Sequence, residues 1–446
     1  MRSLKLMGIA AVFAASGLGC GVFTTGANAA QVRLDAELGQ SAIVGKKTRT
    51  IYLRIGLEGV ALDEGMRRTP VNVAVVVDRS GSMESENKIG KAREAASMAL
   101  SRLGAEDIAA VVAYNHEVDV LLPATKLARQ GDVQRAIDHL YAGGNTALYA
   151  GTEQGLREVM KFADRQRVNR VILISDGLAN VGPSEPDEVA VLGRKAAERG
   201  VSITTIGLGL GYNEDLMSKL AFASDGNHAF VRDAGDLVEI FNKEFGDVLS
   251  VVAQELIIEI ECRQGFKPIR VLGRDAEIQG RRITARLNQI YGRQQKYMVV
   301  ELQVPEDVTA GDLDVADVTV RYASVVGAKD EAISSRVAVK VTDRDDEAEA
   351  SLNRKVMTDV TTQIATEQNE EAVKLRDQGD TQGAVELLKK NSEYLKEQAG
   401  RLSAPDLDAL GTENEVQAGN IASGEWNATR KAMRAKQYKD KVQQSY

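Results

Sequence analysis

Val71 to Val77 form an apolar run interrupted only by Asn72, and the run stops at Asp78-Arg79-Ser80-Gly81-Ser82. It is too short to cross a membrane. It is also too uniformly apolar for a strand with one wet face. It reads as a strand buried on both sides, the central strand of a parallel sheet. Asp78, Ser80 and Ser82 alternate just past its C-terminal end. In open α/β sheets, ligands bind in the crevice beyond that end. A carboxylate and two hydroxyls offer hard oxygens without sulfur or imidazole, a donor set suited to Mg²⁺ or a similar cation.

The surrounding pattern agrees with such a sheet. Val71 to Ser250 alternates strand and helix signals. Strands are expected at Val71 to Val77, Asp107 to Tyr114, Val118 to Leu122, Arg170 to Ser175, Val201 to Leu208 and His228 to Val231. Helices are expected at Lys88 to Leu103, Asp132 to Tyr141, Ala147 to Phe162, Pro186 to Arg199, Asn213 to Ala223 and Gly235 to Val248. The alternation implies an α/β, doubly wound parallel sheet with helices on both faces. Val118 to Leu122 follows its predecessor too closely for a crossover, so it reads as an antiparallel edge strand.

Val32 to Leu38 and Thr50 to Leu57 alternate apolar and polar residues, as half-buried antiparallel strands do. Two strands make no stable domain alone. After residue 250, ELIIEIEC, RRITARL, YMVVELQV, DVTVRYASV and SSRVAVKV repeat the same alternation. The simplest architecture pairs the strands of residues 31–62 with residues 251–343. The domain at 71–250 is then inserted in one antiparallel β-sandwich; two separate β units are the other arrangement. Arg344-Asp345-Asp346-Glu347 marks a charged boundary. Beyond it, residues 348–446 form an α-helical C-terminal region, with a helical hairpin turning at Gly379-Asp380 and a last helix holding Trp426. The basic stretch Arg430 to Lys441 reads as a solvated helix face, with docking to an acidic surface as the alternative.

Residues 1–30 read as a secretory signal peptide. Arg2 and Lys5 give a basic start, Leu6 to Phe13 begins an apolar core, and Ala27-Asn28-Ala29 is an A-x-A cleavage site. Cleavage near Ala29 or Ala30 makes the protein periplasmic or secreted. A retained anchor, or lipidation at Cys20, are the alternatives. No later stretch has the ~20 apolar residues of a spanning helix, so no transmembrane segment is expected in the mature chain. Removing Arg2 and Lys5 takes the formal charge from −8 to −10. An acidic body with only 4% aromatic residues is a poor nucleic-acid binder. The mature chain keeps one cysteine, Cys262, on a strand pattern, where a core role is expected.

Two further segments belong with Asp78. Gly143-Gly144-Asn145-Thr146 precedes the Ala147 helix, so Thr146 sits near a helix start on a glycine-permitted turn. Ser175-Asp176-Gly177 ends the strand VILIS and puts Asp176 on the same sheet edge as Asp78. Neighbouring strands end about 5 Å apart. Two close carboxylates without a basic partner invite a cation.

With these residues in view, 71–250 resembles a von Willebrand factor type A (vWA) domain, a Rossmann-like fold. The D-x-S-x-S pattern matches as Asp78, Ser80 and Ser82, the later Thr as Thr146 in GGNTALYAG, and the later Asp as Asp176 in SDG. The resemblance covers about two fifths of the chain. It implies a metal-ion-dependent adhesion site, MIDAS. Ser80, Ser82 and sometimes Thr146 would bind Mg²⁺ (or Mn²⁺/Ca²⁺) directly, with Asp78 and Asp176 acting directly or through water. An open position on the ion would accept an Asp or Glu carboxylate of a protein ligand. In such domains ligand binding is coupled to a shift of the last helix, here about Gly235 to Val248. The inserted arrangement is similar to secreted bacterial proteins of this class and to inter-alpha-trypsin inhibitor heavy chains.

Other classes draw little support. The three histidines, His116, His139 and His228, show no zinc spacing, and no G-x-S-x-G elbow is present. Ser80 and Ser82 lack an adjacent base, so no enzyme is expected. Gly207-Leu208-Gly209-Leu210-Gly211 misses both phosphate-binding signatures and reads as a flexible connection on the metal-bearing edge, or as a shaper of partner specificity. The expected function is cation-dependent capture of a protein carboxylate. The alternative is a scaffold subunit of a cell-envelope assembly, with a structural metal and binding through the helical tail.

Overall fold

The structure, a computed structural model, describes residues 31–45, 47–61, 68–127, 130–325, 329–421 and 426–444. The expected signal segment, with Cys20 and the cleavage site, lies outside them. The chain opens with β1 (Val32–Leu38), β2 (Ala42–Val44) and β3 (Thr50–Gly59). It then enters an alternating unit. The run at Val71 becomes β4 (Val71–Asp78), buried at every position. A short 3₁₀ stretch, Gly81–Asn87, leads to α1 (Lys88–Ser101). There follow β5 (Ile108–Tyr114), β6 (Val118–Lys126), α2 (Gln130–Asp138), α3 (Leu148–Met160) and β7 (Val168–Ser175). The unit closes with α4 (Pro186–Ala197), β8 (Val201–Leu208), α5 (Glu214–Ala223), β9 (His228–Val231) and α6 (Leu237–Leu249).

The sheet order is β6-β5-β4-β7-β8-β9, so β4 lies at its centre. Its strand pairs are parallel except β5 with β6, the expected antiparallel edge. Uniform burial of β4 still obeys a period of two. Val71, Val73, Val75 and Val77 enter the core under α1, α2 and α6, while Ala74 and Val76 enter the core under α3, α4 and α5. Asn72, the polar interruption, donates to the Val159 carbonyl at 2.8 Å and to Asn169 Oδ1 at 3.0 Å. Both helix layers are therefore filled, and the fold is doubly wound.

The remaining strands are β10 (Val251–Cys262), β11 (Lys267–Leu272), β12 (Ala276–Gln279), β13 (Arg282–Tyr291), β14 (Gln295–Gln303), β15 (Gly311–Ser324) and β16 (Lys329–Thr342). They form two sheets, β1-β3-β14-β11 and β12-β13-β10-β15-β16-β2, over one shared core. β3 pairs with β14 across the whole α/β unit, from Thr50 opposite Gln303 to Glu58 opposite Gln295. The unit is thus an insertion in a sandwich. Its two ends meet at the β13–β14 turn: Arg293 N donates to the Gly59 carbonyl at 2.7 Å, and Gly292 N to the Ser250 carbonyl at 2.8 Å. Cys262 is buried in the sandwich core, where burial pushes its thiol up to about 11.

The tail comprises α7 (Asp345–Ala350), α8 (Arg354–Asp377), α9 (Thr381–Leu402), α10 (Pro405–Ile421) and α11 (Trp426–Val442). The α8–α9 turn uses Gly379 at φ 92°, and Asp380 caps α9 through the Gly383 N–H at 2.8 Å. Val356 and Val360 of α8 pack on Leu272 and Val299 of the sandwich. The basic last helix is not a solvated face. Arg430 binds Glu214, Asp215 and Asp377, Arg434 binds Asp215 at 2.9 Å, and Lys431 is buried against Glu214. Tyr438 donates to the Gly226 carbonyl at 2.7 Å. α11 therefore docks along α5 on an acidic surface of its own chain. Among the described residues no helix is long and apolar enough to cross a membrane.

Candidate metal centre

β4 and β7 run side by side in register, Val77 opposite Ile174, so Asp78 and Ser175 finish together at the C-terminal edge. Ser175 Oγ donates to Asp78 Oδ2 at 2.6 Å, and the Ser80 N–H donates to Asp78 Oδ1 at 2.8 Å. The Asp78 carboxylate is fully buried. Burial pushes its carboxyl above the ordinary value; the bonds from Ser175 and Ser80 pull it down, and the charge of Asp176 adds to the rise.

Thr146 is brought in by backbone ties. Arg79 N donates to the Tyr114 carbonyl at 2.8 Å, Gly143 N to the Arg79 carbonyl at 2.7 Å, and Gly81 N to the Gly144 carbonyl at 3.0 Å. Gly144 takes φ 85°, and a Cβ there would fall 2.4 Å from His116 Nδ1, so both dihedral and space demand glycine. The Thr146 N–H is held by Asn180 Oδ1 at 2.8 Å. A Cβ on Gly177 would lie 3.0 Å from Thr146 Oγ1 and 3.6 Å from Asp78 Oδ2, which puts that hydroxyl and that carboxylate around one small space.

The other side is a chain of short contacts. Ser80 Oγ lies 3.1 Å from Ser82 Oγ, and Ser82 Oγ donates to Asp176 Oδ1 at 2.6 Å. Asp176 Oδ2 accepts from Lys88 Nζ at 3.0 Å. All five expected site residues, Asp78, Ser80, Ser82, Thr146 and Asp176, thus sit at one sheet edge. Four are buried, and Ser82 is exposed, so the cluster opens to solvent beside Ser82.

The carboxylate pair is not without a basic partner. Lys88, the first residue of α1, supplies one, with its side chain 11% exposed against a fully buried Asp176. In the sequence Lys88 is only the first residue of an expected helix, 88 positions from Asp176. The Gly207–Gly211 connection is a strap over this pair. A Cβ on Gly209 would lie 3.3 Å from Lys88 Nζ, and one on Gly211 only 2.6 Å from the Asp176 carbonyl oxygen. Exposed Tyr141, Leu178 and Leu210 lie on the loops around the same edge.

The donor set is two carboxylates and three hydroxyls. Among the described residues no group of three or more His, Cys, Asp or Glu side chains is arranged to hold a metal ion by itself. Hard carboxylate and hydroxyl oxygens without sulfur or imidazole fit a small divalent cation and do not fit a thiophilic one. His228 is buried away from solvent, its Nδ1 2.9 Å from Thr205 Oγ1, and burial lowers its ring to about 4.

Residues 72–243 match the family profile of the von Willebrand factor type A domain. The chain is 29% identical over 191 residues to the uncharacterized protein YfbK of Escherichia coli (strain K12), an alignment covering 43% of this chain and 33% of that relative. It is 23% identical over 370 residues to the uncharacterized protein sll0103 of Synechocystis sp., covering 80% of this chain and 86% of the relative. Among solved structures, a von Willebrand factor type A protein from Catenulispora acidiphila superposes with a TM-score of 0.69 at 16% identity, covering 89% of this chain and 98% of that one. The likeness establishes a vWA domain and a fold shared well beyond it.

Proposed function

We propose that this protein captures a partner protein through a divalent cation held by Asp78, Ser80, Ser82, Thr146 and Asp176. Mg²⁺ is the expected ion, with Mn²⁺ or Ca²⁺ as substitutes. The observation that carries the reading is the position of Ser82, whose hydroxyl lies between Ser80 and Asp176 while its residue is exposed. The hydroxyls of Ser80, Ser82 and Thr146 donate oxygens without charge. Asp78 and Asp176 supply the two carboxylates of this set, one oxygen of each engaged by a serine hydroxyl. When bound, a cation in such a setting would offer an electrophilic position to an Asp or Glu carboxylate. Tyr141, Leu178 and Leu210 then give the partner apolar surface around the charged contact. A secreted or periplasmic setting follows from the reading of residues 1–30 and is part of the proposal.

The tail-binding alternative is disfavoured by the engagement of Arg430, Lys431 and Arg434 with Glu214, Asp215 and Asp377. The test is thermal unfolding in EDTA, Mg²⁺, Mn²⁺ and Ca²⁺, beside Asp78→Ala. A cation bound only by the folded state raises stability by about 2.7 kcal/mol at a hundredfold excess over Kd. A metal-dependent rise that is absent from the variant supports the site; equal unfolding of both proteins in every condition removes it.

A further inference from the structure

Lys88 is placed where a metal site of this kind has least use for a positive charge. Its ammonium lies 3.0 Å from Asp176 Oδ2, while the other oxygen of Asp176 accepts from Ser82 at 2.6 Å. Among the described residues no other Lys or Arg pairs with either site carboxylate; neighbouring Arg79 is committed to Asp119. The position is built rather than incidental. Glu86 and Asn87, immediately before it, both take left-handed backbone conformations, φ 55° and φ 54°. Such conformations are sparsely populated in non-glycine residues and persist where the surroundings impose them. On the opposite side lies Gly209, at φ 64°, where a side-chain Cβ would fall 3.3 Å from the ammonium. Lys88 is therefore held between Asp176 and the strap.

The charges fix what this does. Asp78 and Asp176 with Lys88 leave one net negative charge. A divalent cation brings the cluster to one net positive charge, which a single partner carboxylate neutralises. Without Lys88 the cation alone would neutralise the pair, and an incoming carboxylate would leave an uncompensated negative charge in a largely buried site, which is costly.

We propose that Lys88 sets the charge of this site: it competes with the cation for Asp176 and reserves one positive charge for the partner's carboxylate. Lys88 weakens metal binding in the free protein and makes cation and carboxylate bind cooperatively, each raising affinity for the other. The inference rests on the metal reading above.

The experiment titrates the mature protein with Mn²⁺ by calorimetry and by the electron paramagnetic resonance of free Mn²⁺, with and without sodium acetate as carboxylate probe. Lys88→Met, Lys88→Arg and Asp78→Ala are compared with the unmodified protein. Lys88→Met is expected to bind Mn²⁺ about tenfold more tightly or better, because an opposing charge beside a ligand is removed. Acetate is expected to tighten Mn²⁺ binding in the unmodified protein and in Lys88→Arg, and not in Lys88→Met. Equal or weaker binding by Lys88→Met overturns the proposal, as does an absence of any acetate effect on the unmodified protein, a measurement that needs no variant. Mn²⁺ binding that Asp78→Ala leaves unchanged overturns the metal reading itself, and this inference with it. Binding abolished by Asp78→Ala, together with no gain in Lys88→Met, overturns this inference alone.

Discussion

Lys431 Nζ donates to the carbonyl of Tyr212 at 2.7 Å, across 219 positions of sequence. The same ammonium pairs with Glu214 and stands 4.6 Å from the centre of the Tyr212 ring. Tyr212 follows Gly211, whose backbone lies against the Asp176 carbonyl. The last helix of the tail thus grips Tyr212, the residue that directly follows the strap over the candidate metal centre.

Lys431 and Glu214 are both nearly sealed from solvent, at 2% and 4% exposure. Lys431→Met leaves Glu214 with Arg430 as its remaining charged partner. The variant is expected to lose about 2–3 kcal/mol, below the full cost of an orphaned buried charge. Glu214→Gln in the same chain should recover part of that loss, and urea unfolding of the double-mutant cycle measures the coupling.

Gly211→Ala tests the strap. A Cβ there has 2.6 Å to the Asp176 carbonyl oxygen, closer than carbon and oxygen tolerate, so the strap or Asp176 must shift. The expected outcome is a modest stability loss, about 1–3 kcal/mol, with a clear weakening of Mn²⁺ binding by titration. Unchanged Mn²⁺ affinity would mean that strap and site are mechanically independent.

Ser82→Ala separates binding from folding. Ser82 is exposed as a residue, but its hydroxyl donates to the buried Asp176, so losing that bond is expected to cost about 1 kcal/mol. Unfolding in EDTA should therefore report only that small loss, while the rise produced by Mg²⁺ or Mn²⁺ should shrink or vanish.

Asp247 gives the protein a pH dependence. Burial raises its carboxyl to about 7; the charge of Glu244 adds to the rise, and Arg170 and Lys296 oppose it. A carboxyl raised on folding contributes most below its unfolded value, near 4, and its contribution is lost as pH climbs through about 7. Asp247→Asn is expected to gain on the order of 2 kcal/mol relative to the unmodified protein between pH 5 and pH 8, read by urea unfolding at each pH. His228, lowered to about 4, acts in the opposite sense: its contribution is present above its ordinary value and is lost as pH falls towards 4.

The central strand and its terminal Asp78 were legible because a doubly buried strand leaves an unbroken apolar run, and a crevice residue must follow it. The strands that escaped reading, β2, β11 and β12, are short, sit on or beside sheet edges, or carry Pro268. They give too few alternations to register. α10 escaped for a different reason. It turns Asn414 and Gln417 inward, where Asn369 donates to them at 2.9 and 2.7 Å, so its buried side reads as polar. Lys88 was hidden by ambiguity of another kind: a lysine opening a helix carries no mark of facing a carboxylate that lies 88 residues away. The docking of α11 was written in its basic residues, yet its acidic counterpart is split between α5 and the end of α8 and comes together only in the folded chain.

Both ends of the inserted α/β unit are pinned to one turn, Gly59 by Arg293 and Ser250 by Gly292. The consequence is kinetic. During synthesis β3 emerges before the whole unit and β14 after it, so their pairing is a contact of very long range, the kind that slows folding. Once the unit has folded on its own core, its ends lie side by side, and the closure cost of the intervening chain has already been met within it. The pairing of β3 with β14 is thereby reduced to joining two chain ends that the inserted unit already holds close together.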